Sequence, residues 1–216
     1  MFDVDMRLAL PNHALIVGPS QSGKTTLCLN LLTQPDIFSP KPARILFFYD
    51  QYQPSYQEAK DALADMGVEL LLYRGFTVPD LDDLFPAEDG GQTILLVDDF
   101  SEESSASQNI ARIATNGRHK NLSIWLIWHQ LFSRHPASRT ISQNVRYCFF
   151  LPSIRLESQI ATLGSQLNMR SALVAAFKAC ANVPHGYLML DLGPGVLPML
   201  RMRTCIDGKD RQVCFF

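Results

Sequence analysis

The chain has 216 residues, 47% hydrophobic and 19% charged, with a formal net charge of −2. That length can bury one substantial core but is short for two complete domains, so a single domain over residues 1–216 is expected. No run approaches the roughly 18 apolar residues of a membrane helix, and the acidic start (MFDVD) is unlike the basic head of a signal peptide; a helical membrane protein is excluded and a reducing, soluble compartment is expected.

Residues 14–17 form a short apolar run that enters the loop Gly18, Pro19, Ser20, Gln21, Ser22, Gly23, Lys24, Thr25. Apolar residues at helical spacing follow over 25–32, which predicts strand, loop and helix. The loop matches G-x-x-x-x-G-K-[ST]. Its glycines let backbone amides turn toward phosphate oxygens, and the helix N-terminus adds its positive end. Lys24 is expected to reach the β- and γ-phosphates of ATP and Thr25 to ligate Mg²⁺, with Thr26 opening the helix that fixes the loop.

Farther along, residues 44–50 read as a buried strand, 55–66 as a polar-faced helix and 68–73 as an extra strand. Residues 93–97 form a strand ending on two aspartates. Magnesium favours anionic oxygen, and Asp98 is placed to hold it. Asp99 is the candidate for orienting or deprotonating the attacking water, although with Glu102 it also fits a helix capping box. Residues 104–115 have a helical pattern, 122–129 a long apolar strand and 145–151 another. Gln130, at a strand end, is expected to hydrogen-bond the γ-phosphate or the water, with His129 pointing to the opposite face. Helices over 156–167 and 171–181 precede strands 187–191 and 196–203, paired as a hairpin around Gly193-Pro194-Gly195. Alternating strands and helices predict a mostly parallel sheet with helices on both faces and ligands at the carboxyl ends of its strands.

Charge is unevenly spread. Residues 44–103 hold 14 Asp/Glu against three cations, whereas residues 104–156 hold no acid and seven cations: Arg112, Arg118, Lys120, Arg134, Arg139, Arg146 and Arg155. A run of one sign either faces a polyanion or forms a solvated basic face. Phosphoryl transfer gains from a cation on the developing charge, and Arg118, in a loop before the Gln130 strand, is the first candidate to supply it to a neighbouring subunit. The five cysteines are scattered with no C-x-x-C pair, which favours buried free thiols over a zinc site.

The order GPSQSGKT, VDDF, GRHKNLSIWLIWHQLF between Gly18 and Phe132 resembles the FtsK/HerA superfamily of P-loop DNA translocases, most closely its poxvirus-type viral genome-packaging ATPases. The resemblance covers residues 14 to about 151 well and the C-terminal part only loosely. It implies an α/β P-loop NTPase fold of RecA-like type, with a strand added between the phosphate-loop and aspartate strands. It also implies ATP and Mg²⁺, a homo-oligomeric ring (pentamer or hexamer), double-stranded DNA as cargo and a viral capsid or portal component as partner. The setting it implies is the host cell, in a virus factory or the nucleus, or the virion. Carried over, the family pattern assigns nucleotide and metal to Lys24 and Thr25, metal to Asp98, the catalytic carboxylate to Asp99 and the sensor role to Gln130. Arg118 resembles the arginine upstream of the sensor strand. A nucleoside or nucleotide kinase shares the loop and the size, and a non-motor ATP-dependent assembly switch shares the loop. The kinase would need neither Gln130 nor paired aspartates.

Overall fold

The computed structural model describes residues 5–75, 90–98, 106–132, 136–206 and 213–215. Asp99, Glu102 and Arg134 lie outside the described residues. The strands are β1 (Leu8–Ala9), β2 (His13–Val17), β3 (Phe38–Ser39), β4 (Pro42–Tyr49), β5 (Glu69–Arg74), β6 (Gln92–Val97), β7 (Leu122–Trp128), β8 (Val145–Phe150), β9 (Leu188–Asp191), β10 (Met202–Thr204) and β11 (Val213–Phe215). The helices are α1 (Lys24–Leu32), α2 (Ser55–Asp65), α3 (Ala106–Asn116), α4 (Pro136–Asn144), α5 (Ile154–Gln166) and α6 (Arg170–Ala181).

Nine strands form one sheet in the order β11-β10-β9-β8-β2-β7-β6-β4-β5. The six from β8 to β5 are parallel, and β9, β10 and β11 extend the sheet antiparallel beyond β8. The phosphate-loop strand β2 and the aspartate strand β6 are separated by β7, as the resemblance implied. This is a P-loop NTPase fold.

Helices cover both faces, which is why β2, β6, β7 and β8 read as almost unbroken apolar runs. Strand period two sorts their side chains into two cores. Ala14, Ile16, Phe47, Leu96, Trp125, Ile127 and Phe149 pack with Leu27 and Leu31 of α1 and Tyr56 and Leu63 of α2. Leu15, Val17, Phe48, Val97, Leu126, Trp128 and Phe150 pack with Ile113, Ile141, Ile160 and Phe177 of α3 to α6. Each fully buried Val, Leu, Ile or Phe among them contributes about 1.5–3 kcal/mol relative to exposure.

Three features depart from the expected elements. Helix α4 was not anticipated, because Ala137 and Ile141 are the sole apolar residues in PASRTISQN; two positions are too few to show a period. The second strand of the C-terminal hairpin begins at Met202, not at residue 196, because residues 198–200 form a 3₁₀ turn. Cys28, Cys148 and Cys180 are buried, whereas Cys205 and Cys214 are partly exposed. Among the described residues no helix is long and apolar enough to cross a membrane.

Candidate functional site

The loop leaves β2 at the carboxyl edge of the sheet, anchored on both sides: Gly18 N–H donates to the Trp128 carbonyl (3.2 Å) and Leu151 N–H to the Val17 carbonyl (2.8 Å). A Cβ on Gly18 would stand 2.7 Å from Ser22 Oγ and 2.9 Å from Leu151 Cβ, so the loop closes this tightly only on glycine. Gly23, at φ +89°, caps α1 in the left-handed region where side chains are strained. The amides of the first turn of α1 have no acceptor within their own helix, and its dipole adds partial positive charge there.

Lys24, only 7% exposed, turns its Nζ back to the Pro19 carbonyl at 2.7 Å and stands 3.4 Å from His129 Nδ1. Thr25 Oγ1 donates to Asp98 Oδ2 at 2.8 Å. Asp98 is seated by its own amide, which donates to the Phe48 carbonyl at 2.9 Å. The buried Tyr56 of α2 donates its hydroxyl to the same carboxylate oxygen at 3.4 Å. Burial, then the negative charge of Asp98, raises the Tyr56 pKa and keeps it a neutral donor. Burial, then Asp98, likewise holds the Cys28 thiol protonated.

Two cavities flank the loop. One of about 280 Å³ is lined by Ser20, Lys24, Thr25, Asp50, Asp98 and His129, among others. The other, about 470 Å³, lies between the loop side (Gln21, Gly23, Thr26, Leu27, Asn30) and a C-terminal wall that includes Val183, His185, Tyr187 and Cys205. A magnesium nucleoside triphosphate fits this arrangement. The first cavity presents an ammonium, a hydroxyl and a carboxylate suited to phosphates and Mg²⁺, and the buried Ser22 Oγ in the loop has no hydrogen-bond partner among the described residues. The second cavity offers apolar and polar walls for a nucleoside. Among the described residues no three His, Cys, Asp or Glu form a group that could hold a metal ion.

Lys24, Thr25 and Asp98 are thus brought together, whereas Asp99 lies outside the described residues. At the end of β7 the expectation is reversed. His129 and Gln130 are both exposed; His129 lines the phosphate cavity and stands 3.4 Å from Lys24 Nζ, whereas Gln130 is not among the lining residues. The register explains this. Ile16 pairs with Ile127 and Val17 with Trp128, so Trp125, Ile127 and, by parity, His129 fall on the α1 face. Arg118 sits in the 3₁₀ turn Gly117–Lys120 before β7, at the opposite, amino edge. Its charge is felt there by His13, the first residue of β2. Arg146 is withdrawn from the basic face: its Nε binds Asp191 Oδ1 at 2.9 Å and its guanidinium lies over Tyr147. Sequence reading missed Tyr56, Asp50, His129 and the C-terminal wall. The Tyr56 hydroxyl had no motif to mark it; parity marked His129 only once the register of β7 was known.

Fold and site together define a P-loop nucleoside-triphosphate-binding protein. No family model matches the chain, and no curated protein matches it. Solved structures similar to it include the genome packaging NTPase B204 of Sulfolobus turreted icosahedral virus 2 in complex with ATP-gammaS, at 14% identity and TM-score 0.48 over 93% of this chain and 98% of that one. Others are the Legionella pneumophila ATPase DotB (13%, 0.41, covering 77% of this chain and 52% of that one) and the cytoplasmic domain of the Thermomonospora curvata type VII secretion ATPase EccC (12%, 0.44, covering 98% of this chain and 26% of that one). By their own descriptions these are a genome packaging NTPase, an ATPase and a type VII secretion ATPase.

Proposed function

We propose that the chain is an ATP-hydrolysing translocase that moves double-stranded viral DNA into capsids and works as a homo-oligomeric ring. The observation that carries the hydrolase part is the Thr25–Asp98 contact at 2.8 Å beside the Lys24 ammonium. Thr25 and Asp98 would hold Mg²⁺, which would supply neutralisation of the developing phosphate charge. In this reading Lys24 leaves the Pro19 carbonyl for the β- and γ-phosphates, the α1 amides cradle the chain of phosphates, and Asp99 orients the attacking water.

The translocase part is supported by the order of motifs and by the acid-free segment. Arg112 on α3, Arg118 and Lys120 in the turn after it, Arg139 on α4 and Arg155 on α5 are all exposed. Gathered from several subunits, such cations give a duplex-sized polyanion a multivalent surface that a single copy does not offer. ATP turnover by the purified, assembled protein should rise on adding duplex DNA, and the rise should fade as salt is increased. An assembled ring whose turnover is indifferent to DNA rules out the translocase and leaves the ATPase.

A further inference from the structure

The contact between Lys24 and His129 is not accounted for by the motif. A lysine ammonium can only donate, so in this contact His129 Nδ1 is the acceptor. The acceptors of Lys24 Nζ on the wall of the phosphate cavity include the Pro19 carbonyl at 2.7 Å, contributed by the loop itself, and His129 Nδ1 at 3.4 Å, contributed by the residue that follows β7. His129 itself is exposed and lies one residue past the end of β7. β7 is buried along its whole length and paired on both edges. Just beyond His129, Gln159 Oε1 of α5 accepts from Leu131 N–H at 2.7 Å, which fixes the chain as it leaves the strand.

We propose that His129 is the positioning residue for Lys24, holding the ammonium at the mouth of the phosphate cavity so that it meets the phosphate oxygens already oriented. The proposal rests on the ATPase reading and reassigns the working residue of this strand end from Gln130 to His129. Lysine has a long, flexible side chain, and a group that must act on developing charge gains most from being held in place before the reaction. Such holding is worth more in the transition state than in the ground state, so its loss falls on kcat and much less on binding.

The test uses the full chain, with steady-state ATP turnover and equilibrium binding of a fluorescent mant-ATP probe read side by side. His129→Ala and His129→Leu are expected to lower kcat about a hundredfold, the scale on which small misplacements act, while mant-ATP affinity changes less than about threefold. His129→Asn, whose amide oxygen accepts near the Nδ1 position, is expected to recover most of the lost rate. Gln130→Ala is expected to lose less than His129→Ala.

Wild-type turnover in His129→Leu, an Asn variant as slow as Leu, or a loss confined to Gln130→Ala overturns the proposal and leaves the ATPase reading intact. A tenfold loss of mant-ATP affinity in His129→Leu, with kcat unchanged, overturns it too, since that places the residue in ground-state binding. A wild-type chain that neither binds mant-ATP nor hydrolyses ATP removes the ATPase reading, and the proposal with it.

Discussion

Thr25 Oγ1 and Asp98 Oδ2 lie 2.8 Å apart although 73 residues separate them in the chain. The first opens the helix after the phosphate loop and the second closes β6, and β7 lies between their parent strands. The pairing is therefore a product of strand order, and the proposed mechanism gives both residues to Mg²⁺.

Asp98→Asn keeps the shape of the side chain and removes its charge. ATP turnover is expected to fall about a hundredfold or more, the scale of losing a metal-held charge stabiliser. Nucleotide binding measured in EDTA should change little. Phosphate release followed across a Mg²⁺ titration checks this: a variant with the wild-type magnesium requirement and rate removes Asp98 from the metal site.

Arg118 stands at the amino edge of β7, whose seven residues put about 23 Å between it and the phosphate cavity at about 3.3 Å per residue. Within one subunit it does not reach the phosphates. If it serves a neighbour, Arg118→Ala and Lys24→Ala subunits are each inactive alone but recover turnover when mixed, since one supplies the intact loop and the other the arginine. Mixtures as inactive as either parent exclude service in trans.

His13 is held neutral. Burial first, then the positive charge of Arg118, lowers its pKa from 6.5 to about 4, and its Nδ1 accepts from Ile124 N–H at 2.9 Å. The unfolded chain takes up this proton near pH 6.5 and the folded chain only near pH 4. The associated stability is complete above pH 6.5 and is lost as pH falls toward 4, by about 3 kcal/mol in all. Urea unfolding at several pH values should show this slope, and His13→Gln should flatten it.

Cys205 is partly exposed on the C-terminal wall of the larger cavity, facing the phosphate-loop side. ATP at ten times its dissociation constant should slow alkylation of this thiol about tenfold, read by mass spectrometry of the modified peptide. Cys214, partly exposed and not among the residues lining that cavity, serves as the internal reference. Equal rates with and without nucleotide place the nucleoside elsewhere.

The phosphate loop with Lys24 and Thr25, the aspartate strand and the alternation of buried strands with helices were legible in the sequence. Each is a local pattern: glycines where the backbone must turn, an apolar run of strand length, a carboxylate at its end. Three matters belonged to the tertiary structure alone. The side of β7 that faces α1 depends on the pairing of Ile16 with Ile127, and this brought His129 to Lys24 and left Gln130 off the cavity wall. The direction of β7 carried Arg118 to the far edge of the sheet. The antiparallel strands beyond β8 brought Cys205 and the wall around Tyr187 beside the loop, although more than 150 residues of chain intervene. Register, direction and strand order are set by contacts between segments distant in sequence, and no local run of residues encodes them.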